Sequence, residues 1–283
     1  MVRKLEEQNF YLNSLKRKIE SKSGLDASPN KKQKKILSAK AGCSNWNPKL
    51  QLDKTDTTNY KSLLSKLQPN DETFTKVFLE TYAEQRKFLN QDHDMLIDSI
   101  RNEWPTLLTD IGIKLHYKEL LGHSIDELEI ALFQKAETII AFANKKKIKV
   151  NVDKTSERDQ KAKEVIRIIS ILLKEDISDF LFELPNYDMI DQIVTTARPC
   201  LILKNNQNNR IEYFVAIEKQ IITTGTETFI EALKQCYTFY YILNLQYIRK
   251  FSSTLEFIQR YFLKTHPRIV VQSLLLTQPQ KGK

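Results

Sequence analysis

The segment Thr226 to Tyr247 constrains the fold of this chain more than any other stretch. Phe229, Leu233, Cys236, Tyr240, Leu243 and Tyr247 recur at alternating steps of four and three, the period of an α-helix. Tyr237, Tyr241, Ile242 and Leu245 put further apolar surface on its other sides. A helix that is apolar all round has no face to offer water and must be enclosed by the rest of the protein. The enclosing partner expected here is a small sheet.

The sheet is read from two apolar runs, Pro199 to Leu203 and Ile211 to Ile217, on either side of the turn-forming cluster Asn205 to Asn209. That pattern predicts a β-hairpin whose second strand is central or covered. Gln220 to Thr224 is expected as a third strand ending at Gly225, and Asp176 to Phe182 as a short helical turn before Pro185. A helix over Ala162 to Leu173 precedes the sheet, and an amphipathic helix over Ser252 to Leu263 follows the buried one.

The first half reads as helical throughout. Phe74, Val77, Phe78, Tyr82, Gln85 and Leu89 fall at spacings of three and four, which predicts one long helix from Asp71 to Asn90. Met95 to Trp104 continues in the same way until Pro105. Leu107 to Leu121 is predicted helical with an interruption at Gly112 and a stop at Gly122. Ser124 with Glu127 has capping-box spacing, and Leu128, Leu132, Ala136, Ile139 and Phe142 form the core stripe of the helix it opens. Lys145, Lys146 and Lys147 close that helix, where cations favour its dipole. Six glycines in 283 residues fit such a helical chain better than an all-β one. The expected fold class is mainly α with a smaller α+β C-terminal domain, a short hairpin or three-stranded sheet packed by helices. The expected domains are a basic, partly helical tail at 1–41, a helical domain at 42–145, a linker at 146–160, an α+β domain at 161–267, and a disordered tail at 268–283.

Charge is distributed unevenly. The formal net charge is +9, and residues 1–40 hold eleven basic against four acidic side chains. The remaining residues hold 33 basic and 31 acidic, so the body is close to neutral. Within the tail, Lys16, Arg17 and Lys18 are separated by twelve residues, including Gly24 and Pro29, from Lys31, Lys32, Lys34 and Lys35. Two basic clusters on a non-helical spacer suit an import receptor with two acidic pockets, so nuclear localisation is expected. The same tail can make weak contacts to nucleic-acid phosphates. Leu5, Leu12 and Ile19 lie seven apart, the spacing of a frayed amphipathic helix or a short coiled coil. No stretch has the length and apolarity of a membrane span, and three scattered cysteines without a CxxC fit a reducing compartment.

Catalytic motifs do not emerge from the residues. His116 and His123 lie seven apart, wider than the three to five of common zinc pairs, and neither GxxxxGK[ST] nor GxGxxG occurs. Catalytic, cofactor-binding and metal residues are accordingly expected to be none, and no cofactor is expected. One enzyme reading has a partial basis: Asp188 and Asp191 before the hairpin, with Glu212, Glu218 and Lys219, approximate a metal-dependent nuclease. Its Glu-x-Lys is missing, because Lys219 directly follows Glu218. The aromatic density from Tyr237 to Phe251 suits a core better than a base-stacking surface, since Lys234 is the only cation within Phe229 to Tyr247.

Several idiosyncratic motifs recur together in a group of animal proteins. They are Gly-Cys-x-Asn-Trp-x-Pro at 42–48, Tyr-x-x-Gln-Arg at 82–86, Trp104-Pro105 and His116 to Leu120. Arg198-Pro199-Cys200, Phe239-Tyr240-Tyr241 with Asn244, and Thr254 to Arg260 complete the set. Over about four-fifths of its length the chain resembles the region after the SAM domain in proteins related to sterile-alpha-motif-domain-containing protein 3. The resemblance implies no substrate, cofactor or catalytic residue, and a SAM-type self-association role does not transfer, since the basic tail stands in place of that domain. Together these readings lead to the expectation of a nuclear, non-enzymatic protein-interaction protein, with a nucleic-acid-binding or transposon-derived protein using its basic tail as the alternative.

Overall fold

Phe229–Ile242 is a helix with every residue buried except Glu231. The computed structural model describes residues 57–265 apart from 65, 69–70, 91–95, 153–156, 186 and 206–209. The expected coiled coil, the import signal, the motif at 42–48 and the C-terminal tail lie outside the described residues.

In chain order the helices are α1 (Thr57–Leu64), α2 (Glu72–Glu80), α3 (Tyr82–Leu89), α4 (Leu96–Glu103), α5 (Asp110–Leu121), α6 (Glu127–Lys145) and α7 (Arg158–Leu172). Strands β1 (Leu181–Glu183), β2 (Cys200–Asn205), β3 (Ile211–Ile217) and β4 (Gln220–Ile221) follow. Then come α8 (Phe229–Ile242) and α9 (Ser252–Phe257), the latter continuing as a π-helical turn over Ile258–Phe262. The fold is mainly α with a small mixed sheet, as the sequence predicts.

The sheet has the order β1-β2-β3-β4. Its two central strands are antiparallel and pair Cys200 with Ala216 and Leu203 with Tyr213. β3 is therefore central, and the hairpin stands as expected. The third strand shortens to Gln220–Ile221. The sequence missed β1, which pairs in parallel with β2 through Leu181↔Leu201 and Glu183↔Leu203. Asp176 accepts from the Ser178 amide and folds Ile177–Asp179 as a 3-10 turn, after which the chain extends. A three-residue strand carries no readable period, and its partner lies twenty residues away. Side chains alternate across a strand, so Leu201, Leu203, Tyr213 and Val215 share one face. The Tyr213 ring meets that of Phe229 at 5.9 Å, which places α8 on this face.

The expected long helix from Asp71 to Asn90 is two, because Thr81 (φ −90, ψ −1) leaves the helical path between α2 and α3. All six residues of its stripe are nevertheless buried. The interruption expected at Gly112 falls at Thr109, whose hydroxyl caps the Gly112 amide at 3.1 Å. The capping box expected at Ser124 does not form: the helix begins at Glu127 with Asp126 at the N-cap position, Ser124 accepts from the Asp126 amide at 3.2 Å before the first turn, and Glu127 faces His123. Ala143 takes the buried position expected of Phe142, which is half-buried.

Glycine scarcity has a structural counterpart at helix ends. Lys147, Lys174 and Asn244 hold positive φ after α6, α7 and α8, where glycine is the usual occupant. At α8 the Leu245 amide reaches the Tyr240 carbonyl at 3.0 Å and Asn244 reaches Tyr241 at 3.2 Å, the paired bonds of a Schellman motif.

The described residues beyond residue 38 form one compact unit, within which α5 and α6 pack on α8. The stretch expected as a linker is held to α7: the Asn151 amide donates to Glu164 at 2.8 Å, and Arg167 donates to the Lys149 carbonyl at 2.6 Å.

Gly112 illustrates how closely these elements approach. A Cβ there would lie 1.9 Å from the Thr106 carbonyl oxygen. Gly112→Ala is expected to lower stability by about 1–3 kcal/mol through overpacking, read as a fall in the urea midpoint at unchanged m-value.

Candidate functional site

Both ends of α8 are held by charged side chains from other helices. At its start, Asp159 of α7 accepts from the Phe229 amide (2.9 Å) and from the Ile230 amide (3.1 Å). At its end, Arg86 of α3 donates to the Ile242 carbonyl and, through its other terminal nitrogen, to Asn90 Oδ1 at 3.0 Å. Each charge has the sign that the helix dipole favours at that end. Arg86 is fully buried, and no carboxylate pairs with it among the described residues. Burial pulls its pKa down to about 10, opposed by the neighbouring Tyr82, so it remains a cation at neutral pH.

The residues around Arg86 fix one another's orientation. Gln85 donates through its amide nitrogen to Phe78 O (3.1 Å) and Thr81 Oγ1 (2.8 Å), leaving its oxygen as acceptor. His116 Nδ1 lies 2.9 Å from that oxygen and so must carry the proton. Its Nε2 is then a bare acceptor with no partner among the described residues. Burial, and next the Arg86 charge, push the His116 pKa well below 6.5. The imidazole is neutral, and its ring lies 4.7 Å from that of Tyr82. On the other side of α5, Tyr117 meets the ring of Tyr241 at 5.8 Å. A tyrosine cluster continues from there: Tyr237 and Tyr247 share a hydroxyl contact of 2.7 Å, and Tyr247 donates to Gln259 Oε1 at 3.2 Å.

A second polar cluster lies where the starts of α5, α6, α7 and α8 meet. Lys234 is almost wholly buried and pairs with Asp126 (2.8 Å), Glu129 (3.5 Å) and Glu231 (2.6 Å). Lys114 bridges Glu231 and Asp110, and Arg158 pairs with Glu129 at 3.2 Å. Although burial opposes it, the bonds to Asp126 and Glu231 raise the Lys234 pKa well above the usual lysine range. Four carboxylates and three cations gather here, with the carboxylates in or beside first helical turns, where the dipole favours them.

The residues of the nuclease reading do not converge. Glu218 lies beyond β3, in the two-residue turn before β4 (φ 52), and accepts from the Ile97 amide at 3.1 Å. Glu212 is on β3 opposite Lys204, and Asp191 faces Lys219 at 3.8 Å. Among the described residues no three His, Cys, Asp or Glu side chains are placed to hold a metal ion. Cys200 and Cys236 are buried free thiols, and burial pushes Cys200 up to about 12. Tyr237, Phe239, Tyr240, Tyr241, Tyr247 and Phe251 are all buried, so they pack the core and present no stacking surface. A shallow groove opens beside Trp104, bounded by the ion pair of Lys61 with Glu103. No helix among the described residues is long and apolar enough to cross a membrane.

Arg86, Asp159 and Lys234 went unread in the sequence. Arg86 adjoins Gln85 on the buried stripe, and that position was the available signal. Tyr82, Gln85, Arg86, His116, Tyr117, Tyr241 and Gln259 all lie in or beside this buried polar core. Chemically, the arrangement terminates helices and orients neutral rings. Burial holds the His116 imidazole neutral near neutrality.

Two outcomes are expected. Arg86→Ala leaves the buried Ile242 carbonyl without its donor and should cost about 1–3 kcal/mol in urea unfolding. Arg86→Lys should rescue little of that, lacking the guanidinium fork. His116 is depressed in the folded state and ordinary when unfolded, so below pH 6.5 the unfolded chain binds the extra proton. Stability should therefore fall from pH 6.5 toward pH 5 by as much as about 1.4 kcal/mol per unit, and His116→Asn should flatten that slope.

Comparison of the chain with family models, with curated proteins and with solved structures yields no match.

Proposed function

We propose that this is a nuclear, non-enzymatic interaction protein, carried into the nucleus by its N-terminal tail. The observation that carries the reading is the charge asymmetry: residues 1–40 hold a surplus of seven positive charges, while the rest of the chain holds a surplus of two. Lys16, Arg17 and Lys18 form one basic cluster and Lys31, Lys32, Lys34 and Lys35 the other, the arrangement that two acidic pockets of an import receptor accept. Supporting it, the buried polar side chains of the body face helix termini and one another. Asp159 and Glu218, which in isolation resemble candidate acids, accept from backbone amides at helix starts.

The second reading, nucleic-acid binding through the same tail, rests on the same surplus and differs in its partner. Binding by that route weakens steeply with salt, by a slope of about 0.9 for each phosphate contacted.

Residues 1–40 fused to a cytoplasmic reporter should move it into the nucleus, and neutralising either basic cluster should return it to the cytoplasm. A reporter that stays cytoplasmic with both clusters intact rejects the import signal. Capture from nuclear extract before and after nuclease treatment separates the two readings: protein partners survive the nuclease, and nucleic-acid-mediated ones do not.

A further inference from the structure

The body carries its own concentrated positive surface. Arg158, at the start of α7, lies against Glu129 (3.2 Å) and the Phe133 ring (4.1 Å), near the start of α6. The chain after α6 then runs back along α7, with Lys149 at Arg167 and Asn151 at Glu164. Lys145 lies sixteen residues beyond Glu129 and Lys174 sixteen beyond Arg158. At about 1.5 Å per helical residue, the two helices finish side by side. Lys145, Lys146, Lys147, Lys149 and Lys174 therefore collect at one end of the pair, and all five are exposed.

Two helix ends account for only part of this charge. Each C-terminus presents roughly half a negative charge, so the pair together balance about one lysine of the five. Glu164 is paired with Arg167, whereas Glu175 and Asp176, beside Lys174, accept from the Ser253, Thr254 and Ser178 amides and keep their charge, so a surplus of about two remains. Among the described residues none of the five lysines makes an ion pair, whereas Lys61, Lys114, Lys219, Lys234 and Lys250 all do. Their backbone is set by the ties to α7 and by the Ile148 amide bond to the Ala143 carbonyl, 3.0 Å. Lysine also occupies both positive-φ positions, 147 and 174, where glycine would cost less.

We propose that this five-lysine surface is a contact site for the phosphate backbone of nucleic acid, separate from the N-terminal tail. An extended polyanion is the partner whose closely spaced charges match five exposed lysines that make no ion pair among the described residues. Since the surface belongs to the body, it does not depend on the tail acting as an import signal.

The test uses the full-length chain and a short fluorescein-labelled DNA duplex, with anisotropy followed across a salt series. The variants are Lys145→Gln with Lys146→Gln, Lys149→Gln with Lys174→Gln, and all of these combined with Lys147→Gln. Each is made with the native tail and with its seven cluster residues changed to Gln. The control pair is Lys76→Gln with Lys87→Gln, exposed lysines on α2 and α3. In both backgrounds each patch pair should weaken binding, by roughly eightfold per lost phosphate contact at 0.1 M salt, and lower the salt slope by about 0.9 per contact. The control should do neither. Circular dichroism checks folding, and the two pairs decide the matter if the fivefold variant unfolds. Unchanged affinity in the patch variants overturns the proposal, as does an equal loss in the control. Loss of binding to phosphatidylserine vesicles without loss on DNA also overturns it, in favour of an anionic lipid surface. None of these results bears on the reporter assay, so this inference and the import reading fail separately.

Discussion

The enclosure of α8 is the constraint on which the rest of this structure depends. A helix with thirteen of fourteen residues buried cannot turn its end groups to water, yet its first amides and last carbonyls still need partners. Asp159 and Arg86 meet that requirement from outside the helix, one at each end and each with the favourable sign. Phe229 and Ile242 therefore fix where α7 and α3 must lie. The position of α3 in turn orders Gln85, His116 and Thr81, because each of their hydrogen bonds depends on the turn at Thr81 and the register of Gln85.

The same end-group problem recurs through the fold and is met in the same way. Glu218 serves the start of α4, and Glu175 the start of α9 through the Ser253 and Thr254 amides and the Thr254 hydroxyl. Gathering the starts of α5, α6, α7 and α8 brings like dipole ends together, which is unfavourable without counter-charge. Asp110, Asp126, Glu129, Asp159 and Glu231 supply that counter-charge, and Lys114 and Lys234 keep the carboxylates from repelling one another. At the far ends of α6 and α7 the lysines exceed what the dipoles need.

Helix content was legible from residues alone because apolar spacing survives in a single sequence. The stripe Phe74, Val77, Phe78, Tyr82, Gln85 and Leu89 and the apolar helix were both correctly placed inside, although the helix expected to run to Tyr247 ends at Ile242. Breaks within helices were less legible: Thr81 bends the chain without a proline or glycine to announce it, and the break that Gly112 announced falls at Thr109. β1 was missed because three residues show no period and their pairing lies in another part of the chain. Glu218 illustrates the limit for sites. Its type suggested a catalytic acid, while its place in a positive-φ turn beside the Ile97 amide assigns it to a helix start.

By itself, the sequence determined that this chain is chiefly helical, that one helix must be enclosed, and that its positive charge is concentrated in the first forty residues. Those properties follow from local spacing and composition, which need no partner to be read. Only the tertiary structure decided that Arg86 is a buried clamp, that Lys234 stands among three carboxylates, and that Lys145 and Lys174 share one surface. Each of those depends on which helix ends lie side by side, and residues 156, 108 or 29 positions apart meet only when the chain has packed around α8.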